Sequence, residues 1–195
     1  MVGGVVSGMA ASAKEAILAA ARQAVMAHGY GGLTFRDLAQ AVGIKAASIH
    51  YHFPSKADLG AAVARRYWED IVVALEAISG AAPDPAGALR RYPEIFRRSL
   101  ESGNRMCLGS FMASEHDGLP DAVRAEVQAF ADVNVAWLSR LLVAASVVGA
   151  GESEARAWAI YAAVAGAQLI ARGRSDIGVF DALIEGYRTA GLLPG

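Results

Sequence analysis

With 195 residues, the chain fits one large domain or two small ones, with length to spare for a buried core. Hydrophobic residues make up 54% and charged residues 19%, which excludes a disordered chain, and no apolar run reaches the roughly 18 residues of a membrane span. The net charge of −1 is unevenly spread: residues 1–66 hold seven Lys and Arg against three acids (+4), and the remainder eleven against sixteen (−5). A basic N-terminal third on an acidic body suits an anionic polymer as that third's partner.

The first residues, "MVGGVVSGMAASAK", lack the basic start of a signal peptide. The single cysteine, Cys107, excludes an intrachain disulfide and fits a reducing cytosol, so a cytoplasmic protein is expected.

Taken in order, the elements are all helical. "SAKE" reads as a capping box with Ser12 as N-cap and Glu15 three residues on. A helix to about His28 follows, with Ile17, Ala21, Ala24 and Val25 on one face, and "GYGG" stops it. Thr34 caps a short helix, "FRDLAQAV", that Gly43 ends. A third runs from about Lys45 to Phe53. Pro54 then suits the first turn of a long helix continuing to about Ser79. After the turn-rich "GAAPDPAG", helices are expected over 86–102, 105–116, 120–146, 152–172 and 177–190, separated by Gly, Pro, Asn and Asp. No segment alternates with period two, and there is no internal repeat or low-complexity tract. The longest apolar run, "AWAIYAAVAGAQLIA" (157–171), contains Gln168 and precedes Arg172 and Arg174, so it reads as a buried helix. The fold class is all-α, with about nine helices.

The segment "SIHYHFPSKADL" (48–59) raises the question of a metal, because His-x-His is a ligand spacing. In a helix, residues two apart point away from each other, so His50 and His52 cannot share one ion. Ala46, Ile49 and Phe53 repeat with helical period and would face inward. Lys45, Ser48 and His52 then form an exposed stripe, flanked by Ala47 and Tyr51. A cation, a hydroxyl, an imidazole and a phenol among small alanines suit phosphates and base edges in a major groove, although an ordinary solvated helix face looks the same.

The spacing of Ala39, Gly43 and Ile49 resembles DNA-binding helix-turn-helix units: a small residue where helices cross, a glycine in the turn, an apolar residue locking the second helix. The longer string "TFRDLAQAVGIKAASIHYHFPSKADL" (34–59) is similar to the signature of the TetR family of bacterial transcriptional regulators. About 50 N-terminal residues carry the specific match. The resemblance implies a three-helix DNA-binding domain over 10–55 and a larger helical bundle over 56–195 for effector binding and dimerisation. Lys45, Ala46, Ala47, Ser48, His50, Tyr51 and His52 fall at recognition-helix positions that meet DNA in the family, with His50 standing where tyrosine is most common. Thr34, Arg36 and Lys56 match positions that touch phosphate or a base.

By the same resemblance, the helices near 152–172 and 177–190 pair with a second subunit, matching a palindromic duplex by two-fold symmetry. The partners implied are double-stranded operator DNA, a second copy of the chain and a small, largely apolar effector, with no cofactor, metal or membrane. Tyr92, Phe96, Phe111, Met112, His116, Phe130 and Trp137 are candidates to line the effector cavity, and are equally the usual filling of a core.

Cys107 admits two readings. If Asn104 caps the following helix, the thiol lies in its first turn with Arg98 and Arg105 at hand, a setting that lowers a thiol pKa and suits a sensor of oxidants or electrophiles. Lone cysteines are also among the most buried and inert residues. A different class, a helical ligand-binding protein or an enzyme using Cys107 and His116, lacks any catalytic signature. Nine residues on one helix span about 13 Å, too far for nucleophile activation.

Overall fold

The computed structural model describes residues 3–195, with side chains from Ala13 onward. Ten α-helices and one 3₁₀ turn make up the described residues, with no strand among them. The first three are α1 (Gly3–His28), α2 (Phe35–Val42) and α3 (Ala46–His52). The body comprises α4 (Lys56–Ala81), α5 (Pro85–Arg91), α6 (Glu94–Glu101), α7 (Leu108–Ala113), α8 (Asp121–Ala144), α9 (Ala150–Arg174) and α10 (Ile177–Thr189). The 3₁₀ turn, His116–Gly118, joins α7 to α8.

Local chemistry accounts for most boundaries. The Thr34 hydroxyl accepts the Asp37 N–H and starts α2, and Gly43, at φ 73°, ends it in the left-handed conformation that glycine adopts without strain. Ser55 and Asp58 form a reciprocal capping box at the start of α4. Asp84 caps α5 with Pro85 in the first turn, and Asp176 caps α10.

Four expectations need correction. Helix α1 runs from Gly3 through Ser12 instead of starting there; the Ser12 side chain lies outside the described residues. Glu15 accepts instead from Arg66 at 3.2 Å. Pro54 precedes the N-cap of α4 instead of occupying its first turn, since the Ser55–Asp58 box sets the start. The segment 86–102 divides into α5 and α6 at Pro93, which has no N–H to continue the ladder. The segment 105–116 contracts to α7, because Asn104 takes a left-handed backbone (φ 56°). Its amide donates to the Arg172 carbonyl at 3.1 Å, tying that bend to α9.

One hydrophobic cluster runs from Ile17, Ala21 and Val25 of α1 through the body to Phe180 and Ile184 of α10. Helix α8 is the central element, packed on α4, α5, α7 and α9, while α10 lies on α9 and α6. Polar groups inside this core are satisfied across helices. The Tyr92 hydroxyl donates to Asn134 at 3.0 Å. Gln168, fully buried, accepts the Cys107 N–H at 3.1 Å and donates to the Phe96 carbonyl at 2.6 Å. The polar residue that interrupts the longest apolar run is therefore a three-helix tie. No helix among the described residues is long and apolar enough to cross a membrane.

Candidate nucleic-acid interface and effector pocket

The α2–α3 unit is held from within by Leu38, Ala39, Ile49 and Phe53, all buried. Ala39 sits at the crossing, Gly43 makes the turn and Ile49 locks α3, each in the role its spacing predicts. The opposite side of α3 is open: Lys45, Ala46, Ala47, Ser48 and Tyr51 are exposed, and the Tyr51 side chain is 80% accessible. Ala46 thus belongs to the outer face, because α3 begins at Ala46 and its first turn stands clear of α2. A fully solvated tyrosine beside a lysine and a serine presents donors and an aromatic face to a partner, at no cost in satisfied internal contacts.

The two histidines have separate surroundings. The His50 ring meets Phe35 edge-on at 4.5 Å, while His52, half-buried, lies against Tyr51 at 5.2 Å and Phe53 at 6.5 Å. His50 therefore braces the start of α2 while its edge stays exposed. Thr34 and Arg36 are exposed at the amino end of α2, where Thr34 donates to the Asp37 carboxylate at 2.6 Å. Lys56 donates to the Gly31 carbonyl at 3.1 Å and its ammonium sits 4.7 Å from the centre of the Tyr30 ring. An ammonium has three donors, so two remain for other partners.

Not all of the basic N-terminal excess faces outward. Arg22 pairs with Asp70 at 2.8 Å, and Arg66 bridges Glu15 and Asp70, each at 3.2 Å. Arg65 donates to Glu126 through Nε at 3.0 Å, and Trp68 donates to the other carboxylate oxygen at 2.8 Å. Burial alone would raise Glu126, but the hydrogen bonds from Arg65 and Trp68 outweigh it and hold the carboxyl below its usual range. The cations clear of the body lie around α2 and α3.

The aromatic candidates of the body fall mainly in the core. Tyr92, Phe96, Met112, Phe130 and Trp137 are buried, with Tyr92 stacked on Trp137 at 5.8 Å and edge-on to Phe96 at 5.6 Å. Phe111 is half-buried beneath the Arg172 guanidinium at 4.9 Å. A mostly apolar pocket of about 260 Å³ opens instead among α7, α8 and α9, walled by Ala113, Leu119, Val127, Ala131 and Tyr161, with His116, Arg124 and Gln128 at polar positions. Of those seven candidates and Cys107, His116 alone lines it. The large aromatics fill the core, whereas the pocket opens beside the small Ala113 and Ala131, and the Phe130 ring packs into the notch at Gly109. Burial pushes the Tyr161 phenol up, so it enters this region as an O–H donor at neutral pH.

Cys107 caps α7 itself. Its sulfur accepts the Ser110 N–H at 3.4 Å and the thiol donates to the Ser110 hydroxyl at 2.9 Å. Burial pushes this thiol up to about 11 despite the bonds to Ser110, the opposite of an activated thiolate. His116 is exposed while Cys107 is fully buried, so the two share no surface on which chemistry could proceed.

Residues missed by pattern reasoning surround the "GYGG" turn. Glu115, 85 positions away, accepts the Tyr30 N–H at 2.7 Å and the Gly31 N–H at 3.5 Å. The Tyr30 ring fills the notch at Gly60 on α4, where a Cβ would come within 2.5 Å of it. The two glycines flanking Tyr30 were the available signal, since they mark a backbone approached closely by something else.

Comparison with known proteins agrees with this architecture. A family model described as bacterial regulatory proteins, tetR family, matches residues 17–63. The solved structure of a TetR transcriptional regulator from Legionella pneumophila is 32% identical, with a TM-score of 0.84 over 91% of this chain and 96% of that one. A TetR-family transcriptional regulator from Agrobacterium tumefaciens is 30% identical, with a TM-score of 0.85 over 93% and 98%. Escherichia coli NemR in its reduced form is 20% identical with a TM-score of 0.82 over 93% and 97%, a likeness of fold alone. No curated protein sequence matches the chain. Near-complete coverage at 30–32% identity, together with the helix-turn-helix match, shows that the chain belongs to the TetR family of transcriptional regulators.

Proposed function

We propose that this regulator is a cytoplasmic repressor that binds a palindromic operator as a homodimer and is released by a small, largely apolar effector. The observation that carries the reading is the outer face of α3, where Lys45, Ser48 and Tyr51 stand exposed while Ile49 holds the helix from behind. On this reading residues 10–55 read the duplex, with Lys45, Ala46, Ala47, Ser48 and Tyr51 in the major groove. Thr34, Arg36 and Lys56 hold the phosphates, and His50 and His52 support the helix edge.

Residues 56–195 bind the effector and dimerise. Support for the dimer comes from α9, where Trp158, Leu169 (55% accessible) and Ile170 (49%) leave apolar surface open beside α10. For the effector it comes from the pocket among α7, α8 and α9. Its volume lies just under the roughly 300 Å³ at which sites for drug-sized ligands begin, so its occupant is a compact, mostly apolar molecule with one or two polar groups.

The test is selection of bound sequences from random duplex DNA, followed by an effector screen on the winning site. A palindromic winner, released by compounds that a bulky residue at Ala131 excludes, is the expected result. Recovery of no preferred sequence, with affinity insensitive to salt, would overturn it.

A further inference from the structure

The link between the helix-turn-helix and the body is a specific one. The turn between α1 and α2 is Gly29-Tyr30-Gly31-Gly32, and Glu115 reaches it from the segment joining α7 to the 3₁₀ turn. One carboxylate oxygen accepts the Tyr30 N–H at 2.7 Å and the other accepts the Gly31 N–H at 3.5 Å. Gly29, at φ 73°, supplies the left-handed backbone that glycine adopts without strain, and a Cβ there would displace the Glu115 carboxylate. An acid beside a helix carboxy-terminus is electrostatically unfavourable. Here it is offset by the two N–H donors, while Lys56 holds the Gly31 carbonyl of the same turn.

The other end of the same segment is the pocket wall. Ala113 and His116, on either side of Glu115, both line the apolar pocket. The Glu115 N–H is bonded to the Met112 carbonyl at 3.0 Å, and its own carbonyl receives the Gly118 N–H at 2.9 Å, so backbone hydrogen bonds join Glu115 to both the end of α7 and the 3₁₀ turn. A hydrogen bond of 2.7 Å is lost by a displacement of about 1 Å. Tyr30 and Lys56 tie the turn to the start of α4. Among the described residues, the side-chain hydrogen bonds to the turn come from Lys56 and Glu115, and Glu115 is the one whose neighbours border the pocket.

We infer that Glu115 is the positioning residue that sets the helix-turn-helix on the body, and that an occupied α7–α8–α9 pocket frees the helix-turn-helix by withdrawing this carboxylate. The second half rests on the proposed effector role of that pocket; the first half stands on the contacts alone. A ligand can shift the operator-competent population only by its differential affinity for the clasped and unclasped states, and Glu115 supplies that difference.

The experiment uses the full-length protein and two substitutions. Glu115→Ala removes the clasp, and Ala131→Phe fills the pocket with a ring as a built-in occupant. Operator affinity and amide hydrogen exchange over residues 29–36 are measured for each single variant and the double. Glu115→Ala is expected to weaken operator binding by about tenfold, the loss of one charge-assisted hydrogen bond, and to unprotect the Tyr30 and Gly31 amides. Glu115→Gln, which keeps one acceptor oxygen, should fall between. Ala131→Phe should give the same exchange change, and adding it to Glu115→Ala should cost less than about a further twofold, because both act on one contact.

Wild-type affinity and exchange in Glu115→Ala would overturn the inference, as would fully additive losses in the double variant. If Ala131→Phe fails to fold, 1-naphthol titrated into wild type and Glu115→Ala replaces it: exchange at residues 29–36 should rise with the probe in the first and not in the second, and an equal rise in both would overturn it. If the wild type selects no operator, the proposed function fails, while the exchange measurements still decide whether Glu115 holds the turn.

Discussion

Helix α3 and the interior of the body treat the same kinds of side chain in opposite ways. On α3, Tyr51 is 80% accessible, and Lys45 and Ser48 stand exposed beside it. In the body, Tyr92 is fully buried and bonded to Asn134, and Gln168 ties α9 to the Cys107 N–H and the Phe96 carbonyl. A polar group inside must be satisfied by its own chain, since an unpaired one costs about 1–3 kcal/mol. A polar group left outside costs nothing there and stays available. The contrast separates side chains that hold this molecule together from those free to hold another, and substitutions in the two regions should have different readouts.

The largest effect is expected at the proposed subunit boundary. A Cβ at Gly166 meets nothing within 4 Å in the protomer, so Gly166→Glu should leave the protomer folded. In a dimer it would bury an unpaired charge, at about 3–5 kcal/mol. Sedimentation should show a monomer at micromolar concentration with operator binding lost. An intact Gly166→Glu dimer would move the boundary elsewhere. Ala165 is a poorer probe, because it already packs against the protomer's own core.

Next comes the recognition face. Removing Lys45 and Tyr51 together should weaken the selected operator by about 100-fold or more, at roughly 1–3 kcal/mol for each base or phosphate contact. The melting temperature should hold, since neither side chain is part of the core. A double alanine variant that keeps full operator affinity would refute the assignment, and one that loses stability would blur the contrast between the two regions.

Gln168→Ala is the mirror experiment. It orphans the Cys107 N–H and the Phe96 carbonyl in a buried site, so unfolding free energy should drop by about 2–4 kcal/mol. Thermal denaturation reads this, and operator affinity of the folded protein at low temperature should stay near that of wild type.

Two smaller effects sharpen the boundary. Lys56→Ala should reduce the slope of log affinity against log salt by about one unit if the lysine reaches a phosphate. An unchanged slope would mean that it serves only Gly31 and Tyr30. Cys107, with its pKa pushed up to about 11 by burial, should alkylate with iodoacetamide at pH 8 far more slowly than the same thiol in denaturant. The folded-state pKa lies above the ordinary thiol value of 9.0, so this thiol's contribution to stability is present below pH 9 and is lost as pH rises toward 11. Rapid modification of the native protein at pH 8 would reopen the thiol-sensor reading.

The amino-acid sequence by itself determined the all-α class and the α2–turn–α3 unit. It also determined which face of α3 is outward, apart from Ala46, which is exposed, and His52, which is half-buried, and the extents of α8, α9 and α10 to within two residues. These follow from short-range rules: an N-cap three residues from its acceptor, a glycine at positive φ, an apolar period of 3.6. Helix boundaries departed from the simple pattern where two local rules compete, as at Pro54 beside the Ser55–Asp58 box, and where a proline interrupts an otherwise helical period, as at Pro93.

Only the tertiary structure decided the rest. The pocket is lined by the small Ala113 of α7 and Ala131 of α8, and an absence of side-chain volume leaves no pattern in sequence. Cys107 became a buried cap because Asn104 is drawn to the Arg172 carbonyl, 68 positions away. Glu115 meets Tyr30 and Gly31 across 85 and 84 positions, and neither segment carries a local mark of the other. Such contacts depend on how α1, α4 and α8 stack, which is set by the summed burial of many apolar side chains; periodicity encodes which face of a helix is apolar, and the packing of all ten helices chooses the face it meets.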